Sequence, residues 1–288
     1  MVSIIWGIAG PIIKLTLKGI SPDVFLLYRF LISTAVSLLF FSKTIKFPNL
    51  KIFGMATVYS LLNVPLPLLA LFIGIEKTTL LNVSLITFLG PLLSVLAGYF
   101  FLKDHITTRE KFGMLIAFLG SAIIFVEPLI KHTSGFGNVT GNLMVFVYIT
   151  SSALAGVILK KLLRLGANPV GLANYSFIIG FLTLIPVVLM KMGIPDVVNI
   201  VTHLELKYHL GVLYMALISG TLAFSLLNLG QKSIEVSEAA IFLYLYPVFS
   251  GLLAILVFGD KLTPTIILSA AITFIGVGIA ELKKRRYN

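Results

Sequence analysis

Long apolar runs fill this chain, broken by short charged or Gly/Pro-rich stretches. Ten of them have the length of a membrane span. They lie near 2–17, 24–42, 51–74, 79–102, 110–127, 140–161, 170–190, 209–230, 236–258 and 264–281. A spanning helix takes about 20 apolar residues, so ten use roughly 200 and leave only short connections. The longest polar stretches are 127–139 and 191–208.

The same pattern is written twice. Residues 71–126 align without a gap on residues 227–282 at an offset of 156. Gly74 falls on Gly230, Pro91 on Pro247, Ser94 on Ser250, Asp104 on Asp260, Thr107 on Thr263 and Gly120 on Gly276. Twelve of the 56 positions are identical, and most others exchange one apolar residue for another. Towards the start of each half the offset is 147, with Pro22 on Pro169 and Tyr28 on Tyr175. A duplicated apolar half is a transporter architecture whose site lies where the halves meet. The first unit is 1–126, the connecting loop 127–139 and the second unit 140–288.

Five spans per half is an odd number, so the second half enters the membrane inverted. Loop charge gives a direction. With the N-terminus in the cytoplasm, inner loops and the tail hold 14 basic residues and outer loops seven, and Arg29 lies inside span two. This bias places both termini in the cytoplasm. The predicted fold is therefore an all-α integral membrane protein of ten transmembrane helices in two inverted five-helix repeats.

Composition agrees. Hydrophobic residues make up 58% of the chain and charged residues 11%, against about 25% charged in soluble domains. The net charge of +11 belongs to loop Lys and Arg and does not call for nucleic acid. With no cysteine there is no disulfide or thiol nucleophile. The opening MVSIIWGIAGPIIK reads as the first span, not a removable signal. Enzyme chemistry finds no support: the four histidines lie in loops or at span edges, and HExxH and GxSxG are missing. No metal or cofactor is implied.

Proline inside a span is tolerated where another group satisfies the freed carbonyl. Pro65 and Pro67 interrupt span three, and Pro91 and Pro247 interrupt spans four and nine at matching positions. Paired interruptions point to a transport site, though prolines also serve only to kink helices for packing. Polar residues give the candidate cavity: Tyr59 and Asn63 on span three, Thr87 on span four, Tyr148 on span six, Ser225 and Asn228 on span eight, and Tyr244 on span nine. Thr221, Ser225 and Asn228 have the spacing of one helix face. Small hydroxyl residues also act as helix–helix glue. Asp104 and Asp260, each followed by a threonine, read as helix-capping turns. No carboxylate is placed at mid-span, so a proton as coupling ion has only Glu238 or Glu76, near span ends, to draw on. No basic residue is evident deep in the cavity, and Arg29 is placed about one turn into span two.

The repeated P…S…D-x-[IL]-T unit, the opening IIWGIAGPIIK with Trp6, Gly7 and Lys14, and SPDVFLLYRF with Pro22 and Arg29 together resemble the EamA domain of the drug/metabolite transporter superfamily. The resemblance covers nearly the whole chain. It implies ten helices, inverted repeats, cytoplasmic termini and a central cavity lined by spans one, three, four, six, eight and nine. Members commonly export amino acids or other small metabolites. The chain departs from the family in carrying Asp at 104 and 260, where Glu is frequent, and in lacking a second-half counterpart of Arg29. The expectation is a secondary transporter of the cytoplasmic membrane, monomer or homodimer, surrounded by lipid. Its substrate is a small neutral or zwitterionic metabolite. An exporter of cationic or drug-like compounds is the alternative, and a lipid-moving or intramembrane enzymatic protein stands behind both.

Overall fold

The computed structural model describes residues 1–103, 107–131, 137–233, 245–261 and 263–281, and every regular element among them is helical. The helices are α1 Val2–Thr16, α2 Pro22–Phe40, α3 Leu50–Asn63, α4 Pro65–Lys77, α5 Leu80–Thr87, α6 Gly90–Leu102 and α7 Thr108–Lys131. They continue with α8 Gly137–Arg164, α9 Pro169–Leu189, α10 Ile194–Thr202, α11 Leu206–Leu213, α12 Ala223–Ser233, α13 Leu245–Phe258 and α14 Pro264–Glu281. Between α11 and α12 the chain winds as a π-helix over Tyr214–Leu222. Among the described residues, six helical stretches are long and apolar enough to cross a membrane: Pro22–Phe40, Leu50–Lys77, Leu80–Leu102, Val139–Arg164, Pro169–Leu189 and Leu206–Lys232.

Helix starts follow local chemistry. Asn49 Oδ1 accepts from Ile52 N at 2.9 Å and Asn168 Oδ1 accepts from Gly171 N at 2.9 Å, each satisfying a donor the helix cannot reach. Pro22 and Pro169 sit in first turns, where a missing N–H costs nothing. Before α7, Thr107 and Glu110 form a reciprocal capping box: Glu110 N donates to Thr107 Oγ1 at 3.2 Å and Thr107 N to Glu110 Oε2 at 2.6 Å. Thr263 Oγ1 likewise accepts from Ile266 N at 3.2 Å. The threonines thus do the capping that either the Asp or the Thr of each turn is expected to do, and Asp104 lies outside the described residues. Asp260 serves a different helix, accepting from Leu81 N in α5 at 3.2 Å.

Spans three and four are each broken in two. Val64, at φ −121° and ψ −74°, separates α3 from α4. Pro65 and Pro67 have no N–H to offer the carbonyls of Leu61 and Asn63. The adjacent Leu62 carbonyl is taken by Ser151 Oγ of α8 at 2.9 Å, which answers the rule that backbone within a membrane must find a partner. Phe88 and Leu89 separate α5 from α6, with Pro91 in the first turn of α6.

Small residues set the closest helix contacts. A Cβ at Gly276 would lie 2.3 Å from Ala117 N, and one at Gly113 2.4 Å from Ala280 N. Helices α7 and α14 therefore touch backbone to backbone, as small-residue contacts allow in lipid. Polar groups join α2 to α9: Ser37 Oγ donates to Asn174 Oδ1 at 2.8 Å and Thr34 Oγ1 to the Phe177 carbonyl at 3.2 Å. Phe25, Phe30, Phe72, Ile86 and Phe177 are wholly buried in the main core. Leu39, Phe100, Phe112 and Leu256 face outward, the surface a hydrocarbon solvent would cover.

Two polar stretches differ from expectation. Helices α7 and α8 run into the expected loop 127–139, leaving only 132–136 undescribed between them. The stretch 191–208 is not simply a loop, because α10 forms inside it. Its Val197, Ile200 and Val201 pack on the main core, and an apolar stripe of that kind supplies the stability a short helix lacks.

Candidate functional site

Two neighbouring chambers lie within the bundle and share three wall residues. The larger, about 120 Å³, has Asn63, Pro91, Ser94, Ser152 and Gln231 in its wall. The smaller, about 60 Å³, has Arg29, Thr87, Met215, Ser219 and Ser250. Trp6, Tyr148 and Phe224 belong to both walls and form the waist between them.

The waist is held firmly. Trp6 Nε1 donates to the Ser219 carbonyl at 3.1 Å, and the Trp6 ring meets Phe224 edge-on at 5.2 Å between centroids. The Ser219 carbonyl belongs to the π-helical segment. Wider winding shifts the i→i−4 ladder, and Thr221 Oγ1 donates back to the Ala216 carbonyl at 3.3 Å. That same carbonyl accepts from Ser33 Oγ of α2 at 3.1 Å. The π segment thus turns backbone carbonyls towards α1 and α2, as such windings do at functional sites.

Beside the larger chamber, Tyr59, Asn63 and Asn228 form one polar cluster. Asn63 Nδ2 donates to Tyr59 Oη at 3.0 Å, Asn228 Nδ2 donates to the same oxygen at 3.2 Å, and Tyr59 Oη faces Asn228 Oδ1 at 3.4 Å. Asn228 Nδ2 also donates to the Pro169 carbonyl at 3.1 Å. Tyr59 and Asn228 are buried, and Asn63 is partly open to the chamber. The cluster joins α3 of the first half to α9 and α12 of the second.

The other candidate residues scatter. Thr87 lines the smaller chamber with its hydroxyl donated to the Ser84 carbonyl at 3.0 Å. Tyr148 lines both chambers. Ser225 is buried with an unbonded Oγ and lines neither chamber. Thr221, near the end of the π segment, Ser225 and Asn228 are all buried. Pro91 lines the larger chamber, while Pro65 and Pro67 are buried at the head of α4. Pro247 lies in the first turn of α13, and Tyr244 lies outside the described residues.

The reading of the cavity as free of basic residues is corrected by Arg29. It stands about two turns into α2 and is 0% exposed, with its side chain in the wall of the smaller chamber. Its guanidinium lies 5.8 Å from the Phe30 ring centroid and 5.9 Å from that of Phe72. Nε and Nη1 have no hydrogen-bond partner. The sequence signal was present, since a charge inside a span is a functional-site candidate. The helix starts at Pro22, two residues before the expected span start at 24, which sets Arg29 deeper than one turn.

Residues 1–126 and 139–281 match the EamA-like transporter family. An uncharacterized transporter of Bacillus subtilis (strain 168), YyaM, is 26% identical, over 99% of this chain and 93% of its own length. An uncharacterized transporter of Archaeoglobus fulgidus is 23% identical over 97% of this chain and 95% of its own. A solved crystal structure at 16% identity superposes with a TM-score of 0.65 over 98% of both chains, a likeness of fold. The chain belongs to the EamA-like transporter family and is a multi-pass membrane protein.

Proposed function

We propose that this member of the EamA-like transporter family is a secondary transporter of the cytoplasmic membrane, moving a small neutral or zwitterionic metabolite such as an amino acid by alternating access. In this reading ten helices form two inverted five-helix repeats, 1–126 and 140–288, joined by 127–139, with both termini in the cytoplasm. The observation that carries it is the pair of chambers meeting at Trp6, Tyr148 and Phe224. Their walls come from both halves, and so does the Tyr59–Asn63–Asn228 cluster. Rocking one half against the other around such a waist opens each chamber in turn. Pro65, Pro67, Pro91 and Pro247 supply bending points. The wall favours neutral hydrogen bonding beside aromatic rings. A buried guanidinium disfavours the alternative of cationic cargo, because like charges in a low dielectric repel strongly.

The chain has no cysteine, so single cysteines report access cleanly. Ser94→Cys samples the larger chamber and Ser250→Cys the smaller. Alternating access predicts that a membrane-impermeant maleimide labels them from opposite sides, and that a transported amino acid shifts the two rates in opposite directions. Labelling of both from one side, with rates moving together, would refute it.

A further inference from the structure

The geometry points to Arg29 as the residue that binds the substrate, through a carboxylate. This assignment rests on the transporter reading of the chambers and names the chemical class of what they hold. Arg29 stays charged in proteins and is costly to bury without a partner. It is nonetheless 0% exposed. Nε and Nη1 donate to nothing, so each of the two donor edges of the fork keeps a free N–H. Planar forks of this kind match carboxylates.

No acid of this chain is seen to neutralise it among the described residues. Asp23, two turns earlier on α2, pairs with Lys191 at 2.8 Å. Asp260 accepts from Leu81 N, Glu110 from Thr107, and Asp196 from Gly193 N. Glu205 pairs with Lys207, and Glu76 is exposed. The packing around the head group is aromatic, with Phe30 and Phe72 beneath it. Such rings tolerate a cation without satisfying its N–H donors. Gly220 of the π segment lies beside the head group, where a Cβ would sit 3.5 Å from Nη2, an ordinary contact distance.

The charge count selects the anion. Arg29 is the only basic side chain in the described wall of either chamber. One positive charge balances one carboxylate and leaves a phosphate dianion uncompensated. A zwitterion would set its carboxylate on Arg29, with the rest of the molecule reaching the waist at Tyr148 and Trp6.

Trp6 makes the test direct, because it is the only tryptophan in the chain and lines both chambers. The full chain in nanodiscs is titrated with acetate, butyrate, hexanoate and phenylacetate, each beside its carboxamide, and with hexylamine and inorganic phosphate. The expected result is a saturable change in Trp6 emission with at least one carboxylate and none with its amide, the amine or phosphate. Arg29→Gln should weaken that response at least tenfold, and Arg29→Lys should keep part of it. Equal response to acid and amide, stronger response to phosphate, silence towards every carboxylate, or unchanged affinity in Arg29→Gln would overturn the assignment. Where Arg29→Gln fails to fold, the acid-against-amide comparison on the unaltered chain decides. Carboxylate binding with no transport would sink the transporter reading and leave Arg29 standing. Transport indifferent to a carboxylate would do the reverse.

Discussion

Replacing both cluster asparagines, Asn63→Leu with Asn228→Leu, separates function from stability. Asn228→Leu removes the N–H bonds to Tyr59 Oη and the Pro169 carbonyl, at 3.2 and 3.1 Å. Interhelical bonds in membranes average about 0.6 kcal/mol, so the pair accounts for roughly 1 kcal/mol. The Pro169 carbonyl left without that donor adds on the order of 1–2 kcal/mol. Asn63→Leu removes one bond of 3.0 Å to the same oxygen, a further ~0.6 kcal/mol. Both changes act on one hydroxyl, so the double variant should cost less than the sum, about 2–3 kcal/mol. That is tolerable for a fold stable by about 5–15 kcal/mol. The assay pairs denaturant unfolding in detergent with uptake into proteoliposomes. A folded double variant that has lost transport is expected. Full transport would remove both asparagines from the site, and loss of the fold would make the cluster structural.

Other predictions follow from single contacts. Gly276→Ala puts a Cβ 2.3 Å from Ala117 N and 2.7 Å from the Gly113 carbonyl, so α7 and α14 must separate at a cost of about 1–3 kcal/mol; a melting temperature equal to that of the unaltered chain would contradict it. Ser151→Ala deprives the Leu62 carbonyl of its 2.9 Å donor at the α3–α4 break, and should destabilise by about 1 kcal/mol in the same unfolding assay. Lys191→Ala breaks the 2.8 Å pair with Asp23, whose side chain is only 11% exposed; the carboxylate keeps Ser21 Oγ and Val24 N as donors, so the loss should be about 1–2 kcal/mol in the same unfolding assay, and no change would contradict it.

Much of this molecule is written in its hydrophobic pattern. Hydrocarbon solvent forces helices wherever apolar runs are long, so α2, α8 and α9 appear close to where the runs lie. Prolines announce the breaks at Val64 and at Phe88–Leu89. The asparagines of the cluster were readable because a buried carboxamide is too costly to leave unbonded. The pattern did not show the π winding at Tyr214–Leu222, since no residue type demands it and its cause is tertiary: Ser33 and Trp6 claim its carbonyls. Nor did it separate Ser225, hidden between helices, from Asn228, less than one turn away in the visible cluster. Helix α10 lies inside the polar stretch 191–208, with Pro195 and Asp196 in its first turn. The depth of Arg29 is not legible in the pattern, because it depends on the helix beginning at Pro22 and on what packs around it.

The central claim is that a small carboxylate-bearing metabolite crosses the membrane through these chambers. Uptake of a labelled amino-acid mixture into proteoliposomes, with and without an imposed pH gradient, tests it most directly. The account predicts saturable uptake that one unlabelled amino acid suppresses and its decarboxylated amine does not. No uptake under either condition, from protein shown to be folded, would contradict it.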